Sequence, residues 1–250
     1  MPLERFLQLL DTGSNVLVRP SMWEDPYEKV VAKSVMDIYG ERIPFDESRW
    51  YGQCWSTCPE SDALWRIFTN GKNARSVMIK STSAAIKNSL KRLKSNNRVF
   101  FLEKVKYSRN DGEEGDSLAQ TIHYEWMWEN NYDIELSRNG MKDDKNIAAA
   151  PILLTKRSAF SHEQEVRLLC YNKKEQPKER NIFAYKIPSL SLFLGDKIEL
   201  DPWTPDGVDE TLKTIIDKFI PNNDIQIRKS PLYKEWERGF CFSPYLKDGT

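Results

Sequence analysis

From Glu163 to Tyr171 the chain reads Glu-Gln-Glu-Val-Arg-Leu-Leu-Cys-Tyr, three ionisable side chains running into an apolar stretch. Its β-branched, aromatic and aliphatic residues predict a strand over 165–171. On a strand, side chains alternate between faces. Glu163, Glu165 and Arg167 would then share one face and oppose Val166 and Leu168. A second strand is predicted over 182–187, and the polar stretch 172–180 between them predicts a hairpin.

Other elements follow from periodicity and punctuation. Leu3, Phe6, Leu7 and Leu10 recur at helical spacing, with Gly13 placed to end the helix at positive φ. Short strands are predicted at 16–18, 53–56 and 77–79, extended chain at 99–107 and a strand near 225–227. Helices are predicted over 27–36, after Ser61 as N-cap through Ala63, Leu64, Ile67 and Phe68 to Gly71, and around Ile86, Leu90 and Leu93. Two more are predicted through Leu118, Ile122, Trp126 and Trp128, and through Val208, Leu212, Ile215, Ile216 and Phe219. A glycine-rich acidic stretch, 110–116, precedes the first of these two. No repeat or linker divides the sequence, so residues 1–250 read as a single domain.

Charge removes several function classes. Thirty-seven basic and 37 acidic residues cancel, so no global field draws the chain to nucleic acid or an anionic membrane. Lys87, Lys91, Arg92 and Lys94 form a local basic patch, which reads as the solvated face of an amphipathic helix. No run approaches the ~18 apolar residues of a spanning helix, and residues 1–10 lack the pattern of a secretory signal. A cytoplasmic chain without membrane contact is the expectation. Cys54, Cys58, Cys170 and Cys241 are accordingly read as free thiols, and with His162 they lack the close pairing of zinc ligands, so no metal is expected.

Common catalytic signatures fail in an informative way. There is no Gly-x-Gly-x-x-Gly and no Gly-x4-Gly-Lys-Ser/Thr loop. His162-Glu163 begins like a zincin motif, but Val166 stands where its second histidine belongs. His123 and His162 read as ordinary surface or helix residues. Asp143-Asp144-Lys145 has the carboxylate-x-Lys spacing of metal-dependent nucleases, yet it follows Asn139-Gly140 in turn-like sequence and reads as a solvated loop.

Three islands remain. The first is Val18-Arg19-Pro20-Ser21-Met22-Trp23-Glu24-Asp25-Pro26-Tyr27-Glu28; the second is Cys54-Trp55-Ser56 followed by Ala63-Leu64-Trp65. The third is Lys156, Phe160 and Glu163-Gln164-Glu165-Val166-Arg167. In order and residue type they resemble the bacterial abortive phage-resistance (AbiGi-like) domain family, whose function is unknown. The resemblance spans residues 14–230, although the lead before the first island is short and 118–139 departs from the family pattern.

A weaker similarity is to the arginine, serine and glutamate order of NAD-dependent ADP-ribosyltransferases. It implies NAD as substrate, bound as a nucleotide-like small molecule, and a protein or nucleic-acid acceptor. Rupture of the nicotinamide glycosidic bond develops positive charge on the ribose, which a carboxylate stabilises, while an arginine can hold the pyrophosphate. By this resemblance Glu165 would contact the ribose hydroxyl, Glu163 would face the acceptor and Ser56 would hold the catalytic glutamate. Arg19 and Arg167 would bind NAD; Trp55 and Trp65 read as core residues, either of which could instead stack on nicotinamide or adenine. The implied fold is α+β, a twisted, mostly antiparallel split sheet with flanking helices. Against the enzyme stands a plain alternative. Glu165 and Arg167 could pair with Arg19, Asp25 or Glu28 in a buried polar network that only fixes the fold of a sensor or interaction module.

Overall fold

The computed structural model describes residues 1–26, 28, 35–38, 41–69, 75–93, 97–108, 147, 150–174 and 180–234. The expected features at 110–116, 118–128 and 143–145, together with Gly71, Lys94, His123 and Cys241, lie outside these residues. Among the described residues the first half holds α1 (Leu3–Thr12), β1 (Ser14–Val18), β2 (Val35–Ile38), β3 (Glu41–Pro44), β4 (Trp50–Ser56) and α2 (Asp62–Phe68). It continues through β5 (Val77–Ile79), α3 (Ser83–Leu90), β6 (Arg98–Lys104) and β7 (Lys106–Ser108). The second half holds α4 (Ala150–Leu153), β8 (Thr155–Arg157), β9 (Glu165–Asn172), β10 (Ile182–Lys186) and α5 (Leu190–Leu194). Last come β11 (Lys197–Leu200), α6 (Val208–Phe219) and β12 (Gln226–Lys229).

The architecture is α+β. A five-stranded sheet, ordered β10-β1-β4-β9-β6, pairs antiparallel throughout. A three-stranded sheet, β12-β11-β5, is mixed: β11 and β12 run parallel and α6 supplies the crossover such a pair requires. Two small ladders, β2-β3 and β7-β8, complete the pairing described.

Local sequence accounts for several elements, the Gly13 and Ser61 caps among them as predicted. Gly13 ends α1 at φ 55°, Ser61 accepts the Leu64 amide at the head of α2, and Thr82 does the same for Ala85 in α3. Lys87 and Lys91 are exposed beside buried Ile86 and Leu90, the amphipathic division expected of α3. Two predictions are corrected. Val35 and Met36 belong to β2 rather than to a helix. The two strands predicted as a hairpin do not pair with each other: β10 takes β1, and β9 takes β4 and β6. β9 is buried along nearly its whole length, and a strand covered on both faces needs a neighbour at each edge, which an outer hairpin strand lacks.

Alternation along β9 divides two cores. Leu168 and Cys170 enter the larger one with Phe6, Leu17, Tyr51 and Phe183, where α1, α6 and the three-stranded sheet close over the face. Leu169 and Tyr171 enter a smaller one with Trp23, Trp50, Leu153 and Leu154. Gly52 on β4 makes room for Trp23, since a Cβ there would lie 2.6 Å from the indole and 3.1 Å from Leu169. No helix among the described residues is long and apolar enough to cross a membrane.

Gly52→Ala should therefore overpack the smaller core and lower stability by about 1–3 kcal/mol. Chemical denaturation reads this directly. An unchanged midpoint would mean that Trp23 does not seat against β4.

Candidate functional site

Arg167 lies on β9 with its guanidinium on the side of the smaller core, only 1% exposed. Nε donates to Glu165 Oε1 at 2.7 Å and Nη2 to Oε2 at 3.1 Å, a forked pair two residues apart on one strand face. Nη1 donates to the Leu153 carbonyl at 2.6 Å, and Nη2 also reaches Glu28. The Trp23 ring covers the guanidinium at 4.2 Å. This is the shared face that two-residue alternation predicted for Glu165 and Arg167.

Lys156 extends the cluster. Its ammonium lies 2.7 Å from Glu163 and 3.3 Å from Glu165, over the Phe160 ring at 4.6 Å. Arg157 pairs with Asp25 at 2.7 Å, fastening the first island to β8. The Tyr107 hydroxyl accepts the Glu165 amide at 2.8 Å. Glu163 does not sit on the strand. Gln164 takes a left-handed conformation, φ 44°, between a 3-10 turn and β9, and this breaks the expected alternation while leaving the Glu163 carboxylate within reach of Lys156.

Ser56 stands across from Glu165 in the β4-β9 register and donates its hydroxyl to the Glu163 carbonyl at 2.6 Å. Thr57 donates its amide to the next carbonyl, that of Gln164, at 3.0 Å. Glu165, Glu163, Ser56 and Arg167 are thus brought together. Arg19 and Trp55 are not. Arg19 follows Asn15 and Leu17 on alternate positions, lies over the Tyr51 ring at 5.7 Å and donates to the Arg180 carbonyl at 2.7 Å, all on the face of the larger core. Trp55 packs edge-on against Phe193 on that same face, and its indole N–H donates to Gln53.

Electrostatics follow from burial and composition. Burial alone would raise the Glu165 carboxyl, but the hydrogen bonds and charge of Arg167, with the Cys54 thiol and Lys156, outweigh it and hold Glu165 below the usual carboxylate range. Glu28 goes the other way: burial pushes it up further than Arg167 pulls it down. Burial disfavours the charged form of Lys156 too, yet Glu163 and Glu165 hold its ammonium above the usual range. The cluster contains Glu28, Glu163 and Glu165 against Lys156 and Arg167, three acids and two bases, so one proton on Glu28 would balance it.

Sequence reasoning placed Glu28 and Lys156 within the islands but missed Tyr107 and the Leu153 carbonyl. Neither carries a local signal, because each reaches β9 only through tertiary contacts of β7 and α4. Among the described residues no group of three His, Cys, Asp or Glu side chains is arranged to hold a metal ion. Comparison of the chain with protein-family profiles, with curated proteins and with solved structures finds no match.

Arg167→Met should cost about 3–5 kcal/mol, because it leaves Glu165 and Glu28 buried without their cation. The pH dependence has a definite sign. A carboxylate depressed by folding contributes stability that is complete above the usual carboxylate range and lost as pH falls through its folded value. Glu28, raised, takes its proton first and relieves the excess charge. Denaturation midpoints should hold through mildly acidic pH and then fall steeply as Glu165 protonates, with the acid-dependent loss much reduced in Arg167→Met. A midpoint declining steadily from neutrality would contradict this order.

Proposed function

We propose that the chain is a non-catalytic recognition module, a sensor or interaction domain of the phage-defence kind that its three islands resemble. The observation that carries this reading is the state of Glu165. Both of its oxygens are taken by Arg167 and Lys156, and the residue is 3% exposed. A ribose hydroxyl could reach this carboxylate only by displacing one of those cations. The arginine that the transferase resemblance would place on a pyrophosphate, Arg19, belongs to the opposite face. What a buried ion cluster does is positional: it holds the first island, β8 and β9 in one arrangement.

ADP-ribosyl transfer or hydrolysis of NAD is the second reading, and one observation favours it. Ser56 donates to the Glu163 backbone carbonyl, two residues before the glutamate that the resemblance makes catalytic, and the Glu163 side chain is 18% exposed at the rim of the cluster. A metal-dependent nuclease would rest on Asp143 and Lys145, which lie outside the described residues.

Nicotinamide release from NAD, followed beside thermal unfolding for wild type, Glu165→Gln and Arg19→Ala, separates the two readings. A recognition module gives no turnover in any of them and a marked drop in melting temperature for Glu165→Gln. Turnover in the wild type that falls ~10²–10³-fold in Glu165→Gln, with folding retained, would establish the transferase instead.

A further inference from the structure

The outer face of the three-stranded sheet carries a second charge cluster with the opposite balance. Ile198 and Leu200 of β11 point into the larger core, so Lys197 and Glu199 point away from it. Glu199 Oε1 is approached by Lys80 at 3.1 Å, Lys197 at 3.2 Å and Arg228 Nε at 2.9 Å, with Arg228 Nη2 on the same oxygen. Glu199 itself is fully buried beneath them, and its Oε2 has no hydrogen-bond partner among the described residues. The three cations remain open to solvent, with side-chain exposures of 44% for Lys80, 29% for Lys197 and 48% for Arg228.

Three cations on one carboxylate oxygen is more than neutralisation requires. One cation would balance Glu199; the other two leave the face positive. The register makes this arrangement unfavourable in isolation: continuing the β5-β11 pairing by one residue sets Lys80 directly across from Lys197, and like charges in that relation repel. Arg228 faces Glu199 from the other side, on β12. Backbone geometry fixes the site as well. Gly195, at φ 75°, allows the Lys80 carbonyl so close that a Cβ would lie 2.2 Å from it, which presses the end of β5 against the start of β11. One guanidinium and two ammoniums gathered around a single atom match a group with several anionic oxygens, and the planar Arg228 fork suits phosphate.

We propose that this face binds phosphate groups, supplied by a nucleic-acid strand or by a free phosphate compound, with Lys80, Lys197 and Arg228 as the ligands and Glu199 as the buried post that spaces them. It is independent of the Glu165 cluster and of whether the chain turns over NAD. The neutral total charge of the chain agrees with a contact read locally rather than by long-range steering.

The test is fluorescence anisotropy of a labelled single-stranded oligonucleotide across a salt series, with pyrophosphate and unlabelled oligonucleotide as competitors. Lys80→Gln leaves Glu199 paired to Lys197 and Arg228, so the fold is kept. It should weaken binding about tenfold, the scale of a hydrogen bond to a charged group, and lower the salt slope by about 0.7. Glu199→Gln removes the only negative charge in the cluster and should tighten binding, even though it lowers the melting temperature. Displacement by pyrophosphate assigns the site to free phosphate compounds, whereas displacement by oligonucleotide alone assigns it to a strand backbone. Absence of binding at low salt to both oligonucleotide and pyrophosphate, or wild-type affinity in both variants, would overturn the proposal and leave the cluster as a surface ion pair.

Discussion

A guanidinium buried to the extent of Arg167 is the constraint around which the rest of the structure is arranged. Taking such a charge out of water costs several kcal/mol, and only close, well-directed partners recover it. Arg167 obtains them from four places: Glu165 two residues away, Glu28 at the end of the first island, the Leu153 carbonyl at the end of α4 and the Trp23 face. The cluster selects one arrangement of loops around β9 more than it adds net stability, since a buried pair compared with apolar residues of like volume is close to neutral.

The same strand shows why the two faces have separate roles. Even-numbered positions Leu168 and Cys170 extend the larger core, while Glu165, Arg167, Leu169 and Tyr171 form a gradient from ion pairs to aromatic packing on the other side. Gly52 and Trp23 mark where the gradient changes, because the indole lies over the glycine and over the guanidinium at once. The Glu199 cluster uses the same residue types to a different end. Arg167 is matched by acids and closed off, whereas Glu199 is outnumbered by cations that stay in contact with solvent. Matched charge in a dry site fixes a fold. Excess charge at a wet surface is available to a partner.

Much of the fold was legible where the cause is local. Gly13, Ser61 and the apolar stripes of α1, α3 and α6 follow from capping and period, and the common face of Glu165 and Arg167 follows from alternation alone. What escaped was set by distant contacts. Pairing of β1 with β10 joins residues as far apart as Ser14 and Lys186, a contact that no local pattern announces, so β9 and β10 read as a hairpin. The left-handed Gln164 has no glycine or asparagine to announce it, which is why Glu163 reads as part of the strand when it ends the preceding 3-10 turn. Alternation also could not relate one strand's faces to another's, so Arg19 was grouped with Glu165 although the two lie on opposite faces of the sheet. The Lys80, Lys197 and Arg228 set left no trace in sequence, since it forms only when three short strands align.

The central claim is that Glu165 is ionised at neutral pH, with both oxygens engaged by the cations of a closed ion cluster. Carbon-detected NMR of the glutamate side-chain carboxyls, titrated from neutral to acidic pH with and without NAD, examines it most directly. The account predicts that Glu165 stays ionised below the usual carboxylate range while Glu28 protonates above it, and that neither resonance moves when NAD is added. A Glu165 carboxyl that titrates in the ordinary range, or shifts on addition of NAD, would contradict it.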